Sequence, residues 1–168
     1  WDSVRLEDIE LDPEYLMHYE MIVFYGKATA DPLTETEAAV LEYWVLQGGG
    51  LMIHTHHPTD HSCEMLNSLP RNFGIACTPG NQVINGTGIP VAPHAVTRNI
   101  DQIQILGGET WEVTSPSQIL IEDASGNPLV SAAEWGYGRV VGFNDEWTLY
   151  NAGTGAADIS VEDNEILV

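Results

Sequence analysis

Basic side chains are what this chain has least of: Arg5, Lys27, Arg71, Arg98 and Arg139 stand against 25 Asp and Glu, for a formal net charge of -20. A surface of that sign repels phosphate backbones and anionic headgroups, which argues against nucleic-acid binding and membrane insertion. Long apolar runs are missing as well, and no stretch reaches the roughly 20 residues of a membrane span. Cysteine is scarce. Cys63 and Cys77 either pair as a disulfide across the intervening segment or serve as two small buried hydrophobes. The sequence opens on Trp1 with neither initiator Met nor signal peptide, and residues 161–168 read as a helix cut off after about two turns. The chain is therefore expected to be a processed or excised piece. Its acidity suits an exported, cell-surface or salt-adapted protein, and an extracellular or surface location is the expectation.

What the chain does have is enough apolar material for one core, with 43% hydrophobic residues in 168. A single α/β domain over residues 1–168 is expected. Met21-Ile22-Val23-Phe24-Tyr25 is a short continuous apolar run, the form of a strand covered by helices on both faces. Thr34 and Glu37 then have the spacing of a capping box, and Ala38, Leu41, Trp44 and Val45 fall on one helical face. Gly48 supplies a left-handed stop before the buried run Leu51-Met52-Ile53. Strand, helix, strand in this order favours a parallel pair with a right-handed crossover, so the fold class is doubly wound α/β with a mostly parallel sheet.

A short helix is predicted over 62–69, ended by Pro70, with 73–77 returning toward the sheet. The Gly, Pro and Asn content of 78–99 predicts an extended surface excursion. Beyond it lie short strands near Ile103, Trp111, Ile119, Leu129 and Val140, a β-meander punctuated by Asp123-Ala124-Ser125-Gly126-Asn127 and Gly136-Tyr137-Gly138. The Asp123 turn reads as a hairpin without a bound calcium. At the amino end, 1–6 is a candidate edge strand and 13–19 a helical turn. The sequon at Asn85 reads as a chance occurrence, and the tryptophans, Trp111, Trp135 and Trp147 among them, read as core packing ahead of a sugar platform.

With these elements placed, the chain resembles the class I glutamine-amidotransferase-like superfamily, in particular its ThuA-like (trehalose-utilisation) branch and related non-catalytic domains. The matching pieces are the strand ending at Gly26, Gly48-Gly49-Gly50-Leu51-Met52-Ile53-His54, His94-Ala95-Val96-Thr97-Arg98-Asn99-Ile100, and Gly136-Tyr137-Gly138-Arg139-Val140-Val141. The resemblance implies a Cys nucleophile at a strand-to-helix elbow, a His base on a late strand and a Glu two residues later. Here the elbow falls at or near His54, and the late pattern reads Phe143-Asn144-Asp145-Glu146. Neither the thiol nor the imidazole base stands in its place, and a Glu without its His has nothing to orient. The remaining catalytic candidates are His54, Glu146 and Cys63, with His94 as a remote base for the last. The branch named for trehalose utilisation often carries a His after the glycine run, as at His54, but Ala95 and Asn144 replace residues typical of it. The implied ligand-binding residues are Gly26, His54, His56, Asn144 and Glu146.

Four of the six histidines crowd into Gly50-Leu51-Met52-Ile53-His54-Thr55-His56-His57-Pro58-Thr59-Asp60-His61. His54, His56, Asp60 and His61 are the residue types of a zinc or related divalent transition-metal site. The spacing departs from the His-x-His-x-Asp-His motif of metallo-β-lactamase-like hydrolases by two residues between His56 and Asp60. The simpler reading is a polar loop at the mouth of a sheet with His54 half-buried. The leading expectation is a pseudoenzyme without a cofactor, a binding or assembly module of an exported, surface or multidomain protein. It would engage a protein partner, or a second copy, through an exposed sheet edge. The alternatives are a metal- or sugar-dependent enzyme centred on His54–His61, with carbohydrate as ligand, and a structural subunit of an extracellular assembly.

Overall fold

A computed structural model of the chain describes residues 8–25, 32–55, 66, 69–77 and 84–145. The elements in chain order are α1 (Pro13–Leu16), β1 (Met21–Tyr25), α2 (Glu35–Leu46), β2 (Gly50–His54), α3 (Leu69–Asn72), β3 (Ile75–Cys77), β4 (Ile84–Pro90), β5 (Ile103–Gly108), β6 (Trp111–Val113), β7 (Gln118–Asp123), β8 (Pro128–Trp135) and β9 (Gly138–Phe143). Among the described residues, seven strands form one sheet in the order β1-β2-β9-β8-β7-β4-β5, and β3 and β6 form a separate antiparallel pair.

The parallel part is confined to β1, β2 and β9, with Tyr25 opposite His54 and His54 opposite Phe143. Every other pairing in the large sheet is antiparallel. The expected mostly parallel sheet is thereby corrected to a mixed one. A parallel neighbour needs a long crossover, which the 26–49 and 55–137 connections supply, whereas the short turns of the second half permit only antiparallel pairing.

Helix α2 forms where its local signals place it. The Thr34 hydroxyl accepts from the Glu37 amide at 3.2 Å, and the Glu37 carboxylate accepts from the Thr34 amide at 2.8 Å. Ala38, Leu41, Trp44 and Val45 are its buried face, and the chain leaves the helix through Gly48 at φ +123°. Thr34→Ala is expected to cost about 1 kcal/mol of stability in urea denaturation, by leaving the Glu37 amide without its acceptor. An unchanged midpoint would refute the box as a stabilising feature.

Three local expectations are overturned. Strand β1 is not covered on both faces: Met21 and Val23 are exposed, and among the described residues β1 is the outer strand of the sheet. Pro70 does not end a helix but sits inside α3, in its first turn, where a missing N–H leaves no ladder bond unmade; residues 62–65, 67 and 68 lie outside the described residues. The stretch 78–99 is no surface excursion throughout, since Ile84–Pro90 forms β4, paired with β5 on one side and β7 on the other. Pairing on both edges overrides the poor strand propensity of its Gly and Asn residues. The β6 strand also leaves the meander to pair with β3. The candidate edge strand at 1–6 lies outside the described residues.

Alternation divides the core between the two faces of the sheet. Leu51, Ile53, Val140 and Ala133 pack with Leu16, Leu41, Trp44, Val45 and Phe73 under the helices. Val130, Ala132 and Phe143 belong to the second cluster with Ile103, Ile105, Ile121 and Leu129, against which Met52, Val96 and Val141 are partly buried.

Candidate functional site at the carboxyl ends of β2 and β9

Strands β2 and β9 run side by side in the same direction, so their carboxyl ends present adjacent residues. His54 is the last residue of β2, and Asn144 follows the last residue of β9. In open α/β sheets ligands gather at this end. The ends are locked by backbone bonds: Thr55 N–H donates to Phe143 O at 3.1 Å, Asn144 N–H to Leu129 O at 3.1 Å, and Glu109 N–H to Asn144 O at 3.1 Å.

His54 is 1% exposed, and its ring stands edge-on to Phe143 with centroids 5.4 Å apart. The half-buried histidine expected from the sequence is therefore fully buried, with Phe143, distant in the chain, packed edge-on against it. Burial pushes its pKa down from 6.5 to about 4, so the imidazole is neutral at physiological pH. Neither ring nitrogen has a hydrogen-bond partner among the described residues.

The same deficit recurs on both faces of the sheet. Every buried side-chain nitrogen or oxygen without a partner among the described residues belongs to His54, Thr55, Trp111, Ser131 or Asn144. Register divides these atoms between the two faces of the sheet: His54 shares a face with Phe143 and Val130, whereas Ser131, paired with Gly142, points to the other face. A Cβ on Gly142 would press on the Trp111 ring and come within 3.0 Å of Ser131 Oγ, so the bare glycine is what lets the indole lie across β9. Asn144 is held by its amide, which donates to Glu109 O at 2.9 Å and Pro128 O at 3.4 Å, leaving Oδ1 unused. Asp145 lies beside it, fully buried, and accepts from Leu106 N–H at 2.6 Å.

These five residues are all uncharged at neutral pH. Imidazole and hydroxyl groups can donate and accept, the indole only donates, and Asn144 Oδ1 only accepts. On either face these atoms can hydrogen-bond to a neutral group. Among the described residues there is no group of three or more His, Cys, Asp or Glu placed to hold a metal ion.

Of the residues singled out from the sequence, the structure places His54 and Asn144 at the adjacent carboxyl ends of β2 and β9. Gly26, His56, Asp60, His61, Cys63 and Glu146 lie outside the described residues, as does the side chain of Cys77, and with them any bond between the two cysteines. His94 stands apart, in the 91–100 connection, where its Nδ1 accepts from Val96 N–H at 3.2 Å. Thr55, Ser131 and Trp111 were not singled out for a polar site. A small polar residue just after one apolar strand, at Thr55, and within another, at Ser131, was the available signal. Trp111 is buried and Trp135 meets Phe73 edge-on at 5.7 Å, so both are packed in the core. The Asp123 turn is a self-contained hairpin: its carboxylate accepts from the Ser125 and Asn127 amides, each at 2.8 Å, and from Asn127 Nδ2 at 2.7 Å. Burial alone would raise the Asp123 carboxyl, but these bonds hold it below the usual range.

Comparison with solved structures fits this arrangement to a known scaffold. The mmIFT52 N-terminal domain superposes with a TM-score of 0.73 at 15% identity, over 92% of this chain and 76% of that one. The cytoplasmic protein STM3548 of Salmonella typhimurium gives 0.69 at 14%, over 94% and 74%. A protein of Bacteroides uniformis described as ThuA-like gives 0.57 at 15%, over 94% and 69%. The chain has the class I glutamine-amidotransferase-like fold. That scaffold is shared by domains named for quite different proteins, and identities this low establish the fold alone. No protein-family model and no curated protein sequence matches the chain.

Proposed function

We propose that this chain is a non-catalytic amidotransferase-like domain, a binding or assembly module that takes a neutral polar group at the carboxyl ends of β2 and β9. The observation that carries this reading is that buried polar atoms without a partner among the described residues recur at the adjacent ends of β2 and β9 and on the strands beside them, with His54 on one face of the sheet and Ser131 and Trp111 on the other. Buried polar groups are nearly always satisfied, and a cluster of exceptions marks a place where the protein maintains hydrogen-bonding capacity for something else. The character of the cluster favours binding over cleavage. His54 stands near the elbow and Asn144 on the late strand, where the resemblance implies a Cys and a His, so no thiolate and base are paired there.

Purified protein given glutamine and simple primary amides is expected to release no ammonia above the uncatalysed background. Turnover that disappears on His54→Ala would overturn the proposal.

One observation favours a second reading. A neutral imidazole with neither nitrogen partnered among the described residues is in the protonation state a metal ligand requires, and it opens the histidine-rich stretch 54–61. On this reading the domain is a metal-dependent enzyme with His54, His56, Asp60 and His61 as ligands. Elemental analysis of tag-free protein purified without chelators decides between the two. One equivalent of zinc that is lost in His54→Ala supports the metal reading, and its absence leaves the binding module.

A further inference from the structure

From the sequence alone, Asn85-Gly86-Thr87 cannot be told from a chance sequon. The structure sets it on a surface. Asn85, Gly86 and Thr87 are all exposed, between the buried Ile84 and Gly88 of β4. Among the described residues β7 pairs only with Gly88, Ile89 and Pro90, so the sequon has a neighbouring strand on the β5 side alone. The register against β5 shifts between Ile84 and Asn85, and Gly86 stands at φ +140° with nothing within 4 Å of where a Cβ would be. The backbone beside Asn85 is therefore uncrowded. A Cβ on Gly88 would point inward, onto Leu129, Ile121 and Ile103. Alternation accordingly sends Asn85, Thr87 and Ile89 to the outer face, where Ile89 and Leu106, the cross-strand partner of Asn85, are both exposed.

We propose that Asn85 is an N-glycosylation site and that its glycan covers the apolar strip of Leu106 and Ile89. The acceptor signal is an Asn with a hydroxyl residue two positions on and no Pro between, on the surface of an exported protein. Asn85 and Thr87 meet it with Gly between them. In the transfer, the Asn85 side-chain nitrogen bonds to the anomeric carbon of a sugar carried on a lipid-linked phosphate. The bond from that carbon to the phosphate oxygen breaks, the lipid phosphate leaves with the electron pair, and the amide gives up one proton. In the folded domain Gln104 Nε2 donates to Thr87 Oγ1 at 3.1 Å, so the hydroxyl is engaged once β4 and β5 pair, and the transfer precedes that pairing. Cross-strand neighbours have Cβ atoms about 5 Å apart, which puts the first sugar on Asn85 against Leu106. A bulky, solubilising group there takes exposed apolar surface out of contact with other molecules. The inference carries an exported location with it and is independent of the polar site.

The test reads the Asn85 peptide by mass, in the chain purified from its native cells and in the chain secreted by a glycosylating eukaryotic host. Both are expected to carry sugar at Asn85. In the host, Thr87→Ala and Asn85→Gln are expected to abolish it, and Thr87→Ser to retain it. Enzymatic removal of the glycan from the folded protein is expected to raise the fluorescence of an added apolar dye severalfold, with unchanged circular dichroism; an equal signal before and after removal would eliminate the covering role. An unmodified Asn85 in the native protein would overturn the proposal, even where the host glycosylates it. So would sugar that persists on the Asn85 peptide of Thr87→Ala.

Discussion

His54→Leu is expected to remove a large share of the domain's sensitivity to acid. In the parent, the imidazole is neutral in the folded state down to about pH 4, while in the unfolded chain it takes up a proton near pH 6.5. Above pH 6.5 both states hold it neutral and it contributes no pH dependence. Between pH 6.5 and about 4 the unfolded state binds a proton that the folded state refuses, so stability falls as the pH is lowered. Below about 4 both states are protonated and the contribution is constant. Lowering the folded-state pKa from 6.5 to about 4 corresponds to about 3 kcal/mol lost over that window. Leucine has no proton to bind and leaves no unpaired polar atom beside Phe143. The stability difference between variant and parent, from urea midpoints at pH 7.5 and pH 4, should therefore widen by about 3 kcal/mol in the variant's favour. Using the difference cancels the many carboxylates that titrate in both proteins. Parallel pH profiles would show that His54 is solvated or charged in the native protein, and the neutral site would fall with it.

The second large effect is expected at Gly138. The turn between β8 and β9 docks on the end of α2: Tyr137 N–H donates to Leu46 O at 3.1 Å, and Arg139 N–H to Gly49 O at 3.3 Å. A Cβ on Gly138 would land on the carbonyl oxygens of Val45 and Gly49, backbone atoms that cannot swing aside. Gly138→Ala is accordingly expected to cost about 3 kcal/mol or more, through overpacking that pushes β9 away from β2. Gly126→Ala is the control. Gly126 has φ +82° with open space around it, so alanine there should cost only about 1 kcal/mol of backbone strain. Equal losses at the two positions, measured by chemical denaturation, would show that the turn does not seat against the helix end. A larger loss at Gly138 would also tie the geometry of the Asn144 end of β9 to the α2 terminus.

The same contrast explains which parts of the molecule could be read early. The capping pair Thr34 and Glu37, the stop at Gly48 and the buried stripe of α2 are local, with every partner within one or two helical turns. The Asp123–Asn127 hairpin is local in the same sense. Strand β4 was hidden because nothing in Asn85-Gly86-Thr87-Gly88 announces a strand; its order comes from Ile103–Gly108 and Ile121–Asp123, which pair with it from both sides. The candidate site was half legible. His54 and Asn144 stood out by their positions at the ends of apolar strands, while Ser131 and Trp111 meet over Gly142, on the other face from His54, only through the register of β8 against β9.

Sequence alone determined the strongly acidic surface, the α2 unit with its caps, most of the strands, and the placing of a histidine at the end of β2. Tertiary structure alone decided that, among the described residues, three strands run parallel and β1 is outermost, and that His54 is sealed from water and kept neutral. The reason is physical: capping, periodicity and turn chemistry act between residues a few positions apart, whereas strand neighbours and desolvation depend on contacts such as His54 with Phe143 that no local pattern encodes.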